Sequence, residues 1–291
     1  MALIDISQEQ FDHYCHSLPH HSFIQTPEMA KLLSKRGAKT RFIGLEKEGD
    51  LKVAAMIFSQ KVAGGWRMEL NAGPNTNFPE YLEDFYSQLK NYAKEHQVIE
   101  CIVKPYDIYQ SFDATGKPTN QANSKLIDLL TKLGYQHDGL KTGYPDGEPV
   151  WHYLKSLEGM NSQDVIKTFS KTGKLHTKRA EKFGIQISQL SRDELKVFKH
   201  LTASTSDRQA FDDKSLDYYQ DFYDAFGETA AFMVARLNFK SYLESLQPEK
   251  DKLDAQITRL QETIQTNPDN LKKQKELDAK QVQYQLSLIH I

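Results

Sequence analysis

Leu246, Leu253, Ile257, Leu260 and Ile264 follow one another at intervals of 7, 4, 3 and 4 residues. That spacing lays them along one narrow stripe of an α-helix, the a/d seam of a coiled coil. The residues between them are mostly Lys, Glu, Gln, Asp and Thr, so the helix has one thin apolar face and needs one partner to cover it. Thr266-Asn267-Pro268-Asp269-Asn270 reads as a turn. A second polar helix restarts at Leu271, with Leu277 its clearest apolar residue. The expectation is an antiparallel helical hairpin over 241–285, an arm projecting from a globular body. A plain pair of terminal helices packed on the body is the alternative.

The first 150 residues have a different texture. Thr26-Pro27-Glu28 before Met29, Leu32 and Leu33 reads as a helix start, with Thr26 as N-cap and Pro27 in the first turn, and Gly37 stops that helix. Arg41 to Leu45 and Leu51 to Ser59 read as strands joined by Glu48-Gly49-Asp50. Gly65 to Asn71 is a third strand. Pro79 to Glu95 is a helix with Leu82, Phe85, Tyr86, Leu89 and Tyr92 at helical spacing. Val98 to Val103 is a buried strand, and Asn123 to Leu133 a helix. This is a mixed α/β (α+β) domain spanning 1–150, with helices packed on a hairpin-rich sheet.

A turn-rich link at 137–149 leads to a second α/β stretch, 151–240. Its expected elements are a strand at Trp151–Leu154, a basic helical region from Asp164 to Lys182, a strand at Phe183–Leu190, helices at Glu194–Thr202 and Leu216–Phe226, and a strand at Ala230–Leu237. It begins like the first domain and does not finish.

With 291 residues, about two domains are expected. The 37 Lys and Arg stand against 39 Asp and Glu, a net charge of −2, which excludes a generically cationic nucleic-acid binder but not a local basic patch. Cys15 and Cys101 are the only cysteines, too few for a disulfide framework or a thiolate zinc site, and they fit a reducing cytoplasm. No apolar run approaches the roughly 18 residues that span a bilayer, and MALIDISQEQ has no signal-peptide pattern.

The common catalytic signatures (GxSxG, HExxH, a P-loop, GxGxxG) are absent from the sequence. His13, His16, His20 and His21 cluster, but Pro19 interrupts them and no carboxylates accompany them, so a surface or packing role is expected and no metal. Lys167, Lys171, Lys174, Lys178 and Lys182 advance by 4, 3, 4 and 4, with Arg179 beside them and Glu181 opposing. On one continuous helix they would form a polyanion-binding stripe, or simply a solvated basic face. Thr172-Gly173 can delay or bend that helix. Lys35-Arg36 ends the first helix, where cations favour the C-terminus in any case. Arg208, in Thr205-Ser206-Asp207-Arg208-Gln209 between two expected helices, suits a phosphate oxygen; a salt bridge with Asp207 or Asp212 is the rival. Tyr106, in Lys104-Pro105-Tyr106-Asp107 after a buried strand, either faces a cleft or anchors a loop.

These segments, taken in order, resemble a known family. They are SFIQT at 22–26, Lys35-Arg36-Gly37, MELNAGP at 68–74, VKPYD at 103–107, LGYQHDGLKTGYPDGEPVWHY at 133–153, FSKTGKLHTKRAEKFGI at 169–185, TSDRQAFDDKSLDYY at 205–219, and the heptad arm. Together they are similar to the FemABX family of peptidoglycan branch-forming aminoacyltransferases, in its streptococcal MurM/MurN type, over about residues 1 to 285. The resemblance implies two GNAT-like domains, with the arm inserted in the second. It implies transfer of an amino acid, alanine or serine, from aminoacyl-tRNA to the lysine ε-amine of a lipid-linked or UDP-linked muropeptide. The setting would be the cytoplasm, with at most a peripheral contact at the inner membrane face, and no cofactor. Lys35 or Arg36, together with Ser206 and Arg208, match the family's acceptor-diphosphate positions. Tyr106 and Tyr219 match aromatic residues of its acceptor groove more weakly. The basic residues at 167–182 and the arm would meet tRNA phosphates.

An already activated ester needs no covalent nucleophile, only a desolvated amine and a stabilised oxyanion. The family's residues nearest the transferring group, including a Lys, follow the arm in a region this sequence does not contain. The catalytic residues are therefore unassigned, and the expectation is an inactive fragment. Leu286-Ser287-Leu288-Ile289-His290-Ile291 breaks the polar heptads and matches the translation of a sequencing adapter, so 286–291 is expected to be an artefactual tail. Two rivals remain: an acyl-CoA-dependent GNAT N-acyltransferase, which calls for a Gly-rich pyrophosphate loop, and a non-catalytic tRNA-binding or coiled-coil protein.

Overall fold

The computed structural model describes residues 1–143 and 149–289, with backbone alone from 286. The chain divides into two compact units, Met1–His152 with Arg192–Ala231, and Tyr153–Ser191 with Phe232–Ile291. This division differs from sequential boundaries at 150 and 240, because two helices from the expected second domain cluster with the first sheet. The mixed α/β class is as expected.

The first unit is built on a five-stranded sheet in sequence order: β1 (Ala2–Asp5), β2 (Lys39–Lys47), β3 (Asp50–Val62), β4 (Gly65–Asn71) and β5 (Val98–Lys104). The first three pairings are antiparallel, and β4–β5 is parallel from Trp66↔Val98 to Asn71↔Lys104. Parallel neighbours need a crossover, supplied here by α3 (Leu82–Glu95) after a 3₁₀ turn at Pro79–Tyr81. The β2–β3 turn falls where Glu48 and Gly49 accept positive φ, 55° and 88°.

Helices cover both faces of this sheet. On one, Phe85, Tyr86, Leu89 and Tyr92 of α3 pack against Ile43, Leu45, Val53, Ile57, Met68 and Leu70, with Leu126 and Leu130 of α4 (Lys125–Lys132) at the margin. The other is covered by α1 (Gln8–His16) and α2 (Pro27–Lys35), through Phe11, Cys15, Met29 and Leu32 over Ala54 and Met56. The elements β1 and α1 are not among those expected from the sequence. The helix α1 is short and mostly polar, yet Ser7 and Gln10 form a complete capping box at its start. The N-cap at Thr26 is as expected: its Oγ1 accepts from the Met29 N–H at 3.2 Å.

One side chain of the first core carries an unmet polar group. Among the described residues the buried Tyr86 hydroxyl has no hydrogen-bond partner, although the Tyr86 carbonyl accepts from Tyr135 Oη at 2.9 Å. Removing an unsatisfied buried hydroxyl should stabilise. Tyr86→Phe is expected to raise unfolding free energy by about 1 kcal/mol, measured by urea denaturation.

The remaining helices of this unit are α7 (Leu195–Gln209) and α8 (Leu216–Phe226). Phe222, Ala225 and Phe226 of α8 pack on the cluster beneath α2.

The second unit holds α5 (Ser162–Lys167), α6 (Lys171–Lys182), the antiparallel pair β6 (Gln186–Gln189) and β7 (Met233–Arg236), α9 (Phe239–Thr266) and α10 (Leu271–Ile289). Trp151–Leu154, expected as a strand, is irregular. The two-stranded sheet leaves Ile187 70% and Met233 50% exposed. The helices α9 and α10 pack as the expected antiparallel hairpin. Leu253, Leu260 and Leu277 are buried, and Lys250 reaches the Tyr284 ring from the opposite helix at 5.9 Å. Asn270 Oδ1 caps α10 by accepting from the Lys273 N–H. Of the expected tail, the backbone of α10 continues through Ile289; the side chains from 286 and residues 290–291 lie outside the described residues. So does 144–148 of the expected link. Among the described residues, no helix is long and apolar enough to cross a membrane.

Candidate functional site

The two cations that end α2 have different surroundings. Lys35 Nζ lies 2.6 Å from Asp221 Oδ1 and 3.7 Å from Asp224 Oδ2, both on α8. Asp224 is itself held by Arg192, Nε to Oδ1 at 2.5 Å and a second guanidinium nitrogen to Oδ2 at 2.9 Å. The hydrogen bond to Asp221 raises the Lys35 pKa, and Arg192, with Lys35 assisting, holds Asp224 below the usual carboxylate range. The ammonium charge of Lys35 is therefore already compensated.

Arg36 points elsewhere. Its guanidinium carbon sits 4.0 Å from the centroid of the Tyr218 ring, and one terminal nitrogen is 3.5 Å from the Tyr218 carbonyl. Stacking on an aromatic face leaves the edge of the planar fork available. Among the described residues no carboxylate pairs with it. Gly37, at φ 88°, turns the chain away directly after it.

Tyr219, the next residue on α8, serves a second network. Its hydroxyl donates to Asp213 Oδ1 at 3.0 Å. Asp213 Oδ2 also accepts from Thr202 Oγ1 at 3.1 Å and pairs with Lys199. Lys199 first, then the two hydroxyls, depress the Asp213 pKa. A depressed folded pKa gives stability that is present above the ordinary value near 3.9 and lost as pH falls through the lower folded value. Asp213→Asn is therefore expected to lower Tm at pH 7, with the difference from wild type closing as the pH drops below about 4.

The helix α7 runs to Gln209, so Thr205 to Gln209 are not the expected loop. Ala210, at φ 55°, ends the helix. Ser206 is buried and its Oγ donates to the Phe211 carbonyl, so its hydroxyl is committed to the helix end. Arg208 is exposed in the last turn and borders an open depression of about 460 Å³ with His200, Ala203, Ser204 and Asp207. The rival salt bridge to Asp207 or Asp212 does not form among the described residues. Tyr106 lies in the 105–124 connection, 60% exposed, and no described contact joins it to the other candidates. The helix α8 is thus the common element: it meets Arg36 and Lys35 on one side and, through Asp213, α7 on the other.

The basic stripe is broken. Lys167 ends α5 and pairs with Asp164 at 2.8 Å. Ser170 then caps a new helix, its Oγ accepting from the Gly173 N–H. Lys171, Lys174, Lys178 and Lys182 remain on one face of α6, with Arg179 alongside, all exposed. Lys182 reaches Glu249 at 3.5 Å; among the described residues Lys171, Lys174, Lys178 and Arg179 have no acidic partner. Among the described residues, no group of three or more His, Cys, Asp or Glu side chains is placed to hold a metal ion.

The junction between β4 and α3 bears on the acyl-CoA rival. Three of its amides are spent within the fold: Ala72 N–H on the Lys104 carbonyl, Asn75 N–H on the Ala54 carbonyl, Phe78 N–H on Thr76 Oγ1. Pro74 and Pro79 have no N–H to give. Fewer amides are left there for a pyrophosphate.

Asp221, Asp224, Arg192, Asp213 and Lys199 are not among the residues expected from the sequence. A signal existed for some of them: Asp217, Asp221 and Asp224 repeat at 4 and 3 along α8, an acidic face matched by Lys31 and Lys35 of α2.

Comparisons with known proteins bear on the family and the fold. The model of the FemAB family matches residues 6–287. The chain is 26% identical over 294 residues to the aminoacyltransferase FemA of Staphylococcus aureus strain MRSA252, covering 97% of this chain and 69% of that protein. FemA of the bovine strain RF122 / ET3-1 matches with the same identity and coverage. Among solved structures, the crystal structure of FemX superposes with a TM-score of 0.66 at 19% identity, covering 99% of this chain and 71% of that one. At that identity the likeness is one of fold.

Proposed function

The chain belongs to the FemAB family, and from that membership we propose that it forms peptidoglycan branches, taking alanine or serine from aminoacyl-tRNA and joining it to the stem-peptide lysine of a lipid-linked or UDP-linked precursor. It is an aminoacyltransferase. In the proposed step the neutral lysine ε-amine attacks the ester carbonyl, an amide forms, and the tRNA ribose hydroxyl leaves with the proton the amine gives up. Such a step needs orientation and oxyanion stabilisation and no covalent intermediate.

The observation that carries the acceptor half is the state of Arg36. An acceptor diphosphate needs a cation with free donors, and Arg36 has them while Lys35 is neutralised by Asp221 and Asp224. Within the proposal, Arg36 and Arg208 take diphosphate oxygens. Tyr219 and Tyr106 belong to the acceptor groove. Ser206 contributes by fixing the end of α7 that carries Arg208. The unpaired cations of α6, with the arm as a coiled coil, take tRNA phosphates.

Donor class is tested by equilibrium binding of alanyl-tRNA and of acetyl-CoA to the chain. Binding of tRNA, weakened about tenfold by Lys174→Glu with Lys178→Glu and with a shallower salt dependence, is expected. Binding of acetyl-CoA without tRNA would overturn the donor assignment in favour of acyl-CoA chemistry. Binding of tRNA with no affinity for a muropeptide would favour a non-catalytic RNA-binding protein.

A further inference from the structure

The face of the first sheet that α3 covers is longer than α3. The helix ends at Glu95 with His96 as its cap, and beyond it β2, β3 and β4 continue. Strand register places Lys61 directly opposite Trp66, and Ser59 opposite both Lys39 and Met68. Met68 lies in the core beneath α3, so these side chains share its face. They form a shelf past the end of the helix, with a shallow recess of about 40 Å³.

The charges on this shelf are of two kinds. Arg41 is engaged: one guanidinium nitrogen donates to Asp5 Oδ2 at 3.2 Å and Tyr92 Oη at 3.1 Å, and meets His96 Nε2 at 3.0 Å. Lys39 and Lys61 are not engaged in this way. Their ammonium groups lie 4.9 and 5.0 Å from the centroid of the same Trp66 ring, which places them at most about 10 Å apart. Among the described residues neither has a carboxylate within ion-pair distance. Two like charges gathered on one indole repel each other, and only water and salt screen them. A polyanion lying across both would relieve that repulsion and release its counter-ions. The half-buried indole they share offers a base a stacking face once the ammonium groups move onto phosphates.

We propose that Lys39, Lys61 and Trp66 form a binding site for single-stranded RNA, the ammonium groups taking backbone phosphates and the indole taking a base. The site rests on the reading that the donor is RNA-linked, and lies on a different unit from the basic face of α6. A lipid surface is a poorer match. The exposed aliphatic side chain of this corner, Ile99, lies on the Gly65 side of β4, the face opposite Trp66, so it is not placed to enter a bilayer together with the shelf. An acidic peptide would meet the charges and leave the ring without a stacking partner.

The chain has two tryptophans, Trp66 and Trp151, so Trp151→Phe leaves Trp66 as the only indole reporter. This variant is titrated with a short single-stranded RNA. Quenching of Trp66 emission is expected. Lys39→Gln with Lys61→Gln, checked for native circular dichroism, should weaken binding about tenfold and flatten the plot of log affinity against log salt by about 1.4, the value for two single-strand phosphates. RNA binding that leaves Trp66 emission unchanged and responds to charge reversal only at Lys174 and Lys178 would overturn the shelf and leave the RNA-linked donor standing. No RNA binding by the wild-type chain would overturn both. Equal quenching and affinity with polyglutamate or phosphatidylglycerol vesicles would overturn the assignment to RNA.

Discussion

Gln25→Ala is expected to lower unfolding free energy by about 4 kcal/mol, a large part of the 5–15 kcal/mol typical of a folded domain. Gln25 is fully buried and its amide stands in for a strand. Nε2 donates to the Met56 carbonyl at 2.9 Å and the Asn71 carbonyl at 2.6 Å, while Oε1 accepts from the Met56 N–H at 2.7 Å. These groups lie where β3 and β4 have parted: β3 pairs with β4 from Phe58 to Val62, while Ala54 bridges to Asn75. Truncation removes the acceptor of the Met56 N–H and the amide donor to the Met56 and Asn71 carbonyls in a dry interior, each lost bond costing about 1–3 kcal/mol. In urea, with a slope near 2 kcal/mol/M, the midpoint should fall by roughly 2 M. Gln25→Glu tests the cause separately. It keeps the shape, but an ionised carboxylate cannot donate to the two carbonyls, so it should destabilise by a similar amount. A loss below about 1 kcal/mol in both variants would show that the amide is not what joins these strands. Gly73 belongs to the same arrangement, because a Cβ there would lie 2.9 Å from the Gln25 carboxamide carbon.

The second large effect is on ligand binding. Arg36→Ala should weaken binding of a UDP-linked, lysine-containing muropeptide about thirtyfold. This corresponds to roughly 2 kcal/mol, the contribution of hydrogen bonds to a charged partner. Lys35→Met should change affinity only a few-fold, since that ammonium already faces Asp221 and Asp224. Arg36→Lys should fall between them, keeping the charge while losing the planar fork and its stacking on Tyr218. Fluorescence-detected competition against the labelled muropeptide measures all three. The reverse order, with Lys35→Met the more damaging, would assign the diphosphate to Lys35.

Most of the first sheet could be read from the sequence, because its signals are local. Thr26-Pro27 starts α2, Gly37 stops it, Glu48-Gly49 turns the hairpin, and the 82–92 pattern of α3 repeats at helical spacing. The missed elements carry weaker local signals. The strand β1 is four residues long, and α1 is polar except for the face carrying Phe11 and Cys15. The strand expected at Trp151–Leu154 had suitable residues, but among the described residues no strand pairs with it. The continuous basic helix failed at a capping residue: Ser170 can end one helix and start the next, and the spacing of lysines is blind to that. At the candidate site, residue types were legible and their state was not. Lys35 and Arg36 are adjacent in sequence and equivalent by charge. They differ only because Asp221 and Asp224 arrive from nearly two hundred residues away, so a neutralised and an available cation could not be told apart beforehand. Arg208 was found by type, but its expected loop is the last turn of a helix.

On the proposed function, the first unit holds the diphosphate of a peptidoglycan precursor. Its most direct test is titration calorimetry of the 291-residue chain with a UDP-linked, lysine-containing muropeptide, and with the same glycopeptide after removal of the uridine diphosphate. Saturable binding of the first, and loss of most of that affinity with the second, are expected. Equal affinity for the two, or no binding of either, would contradict it.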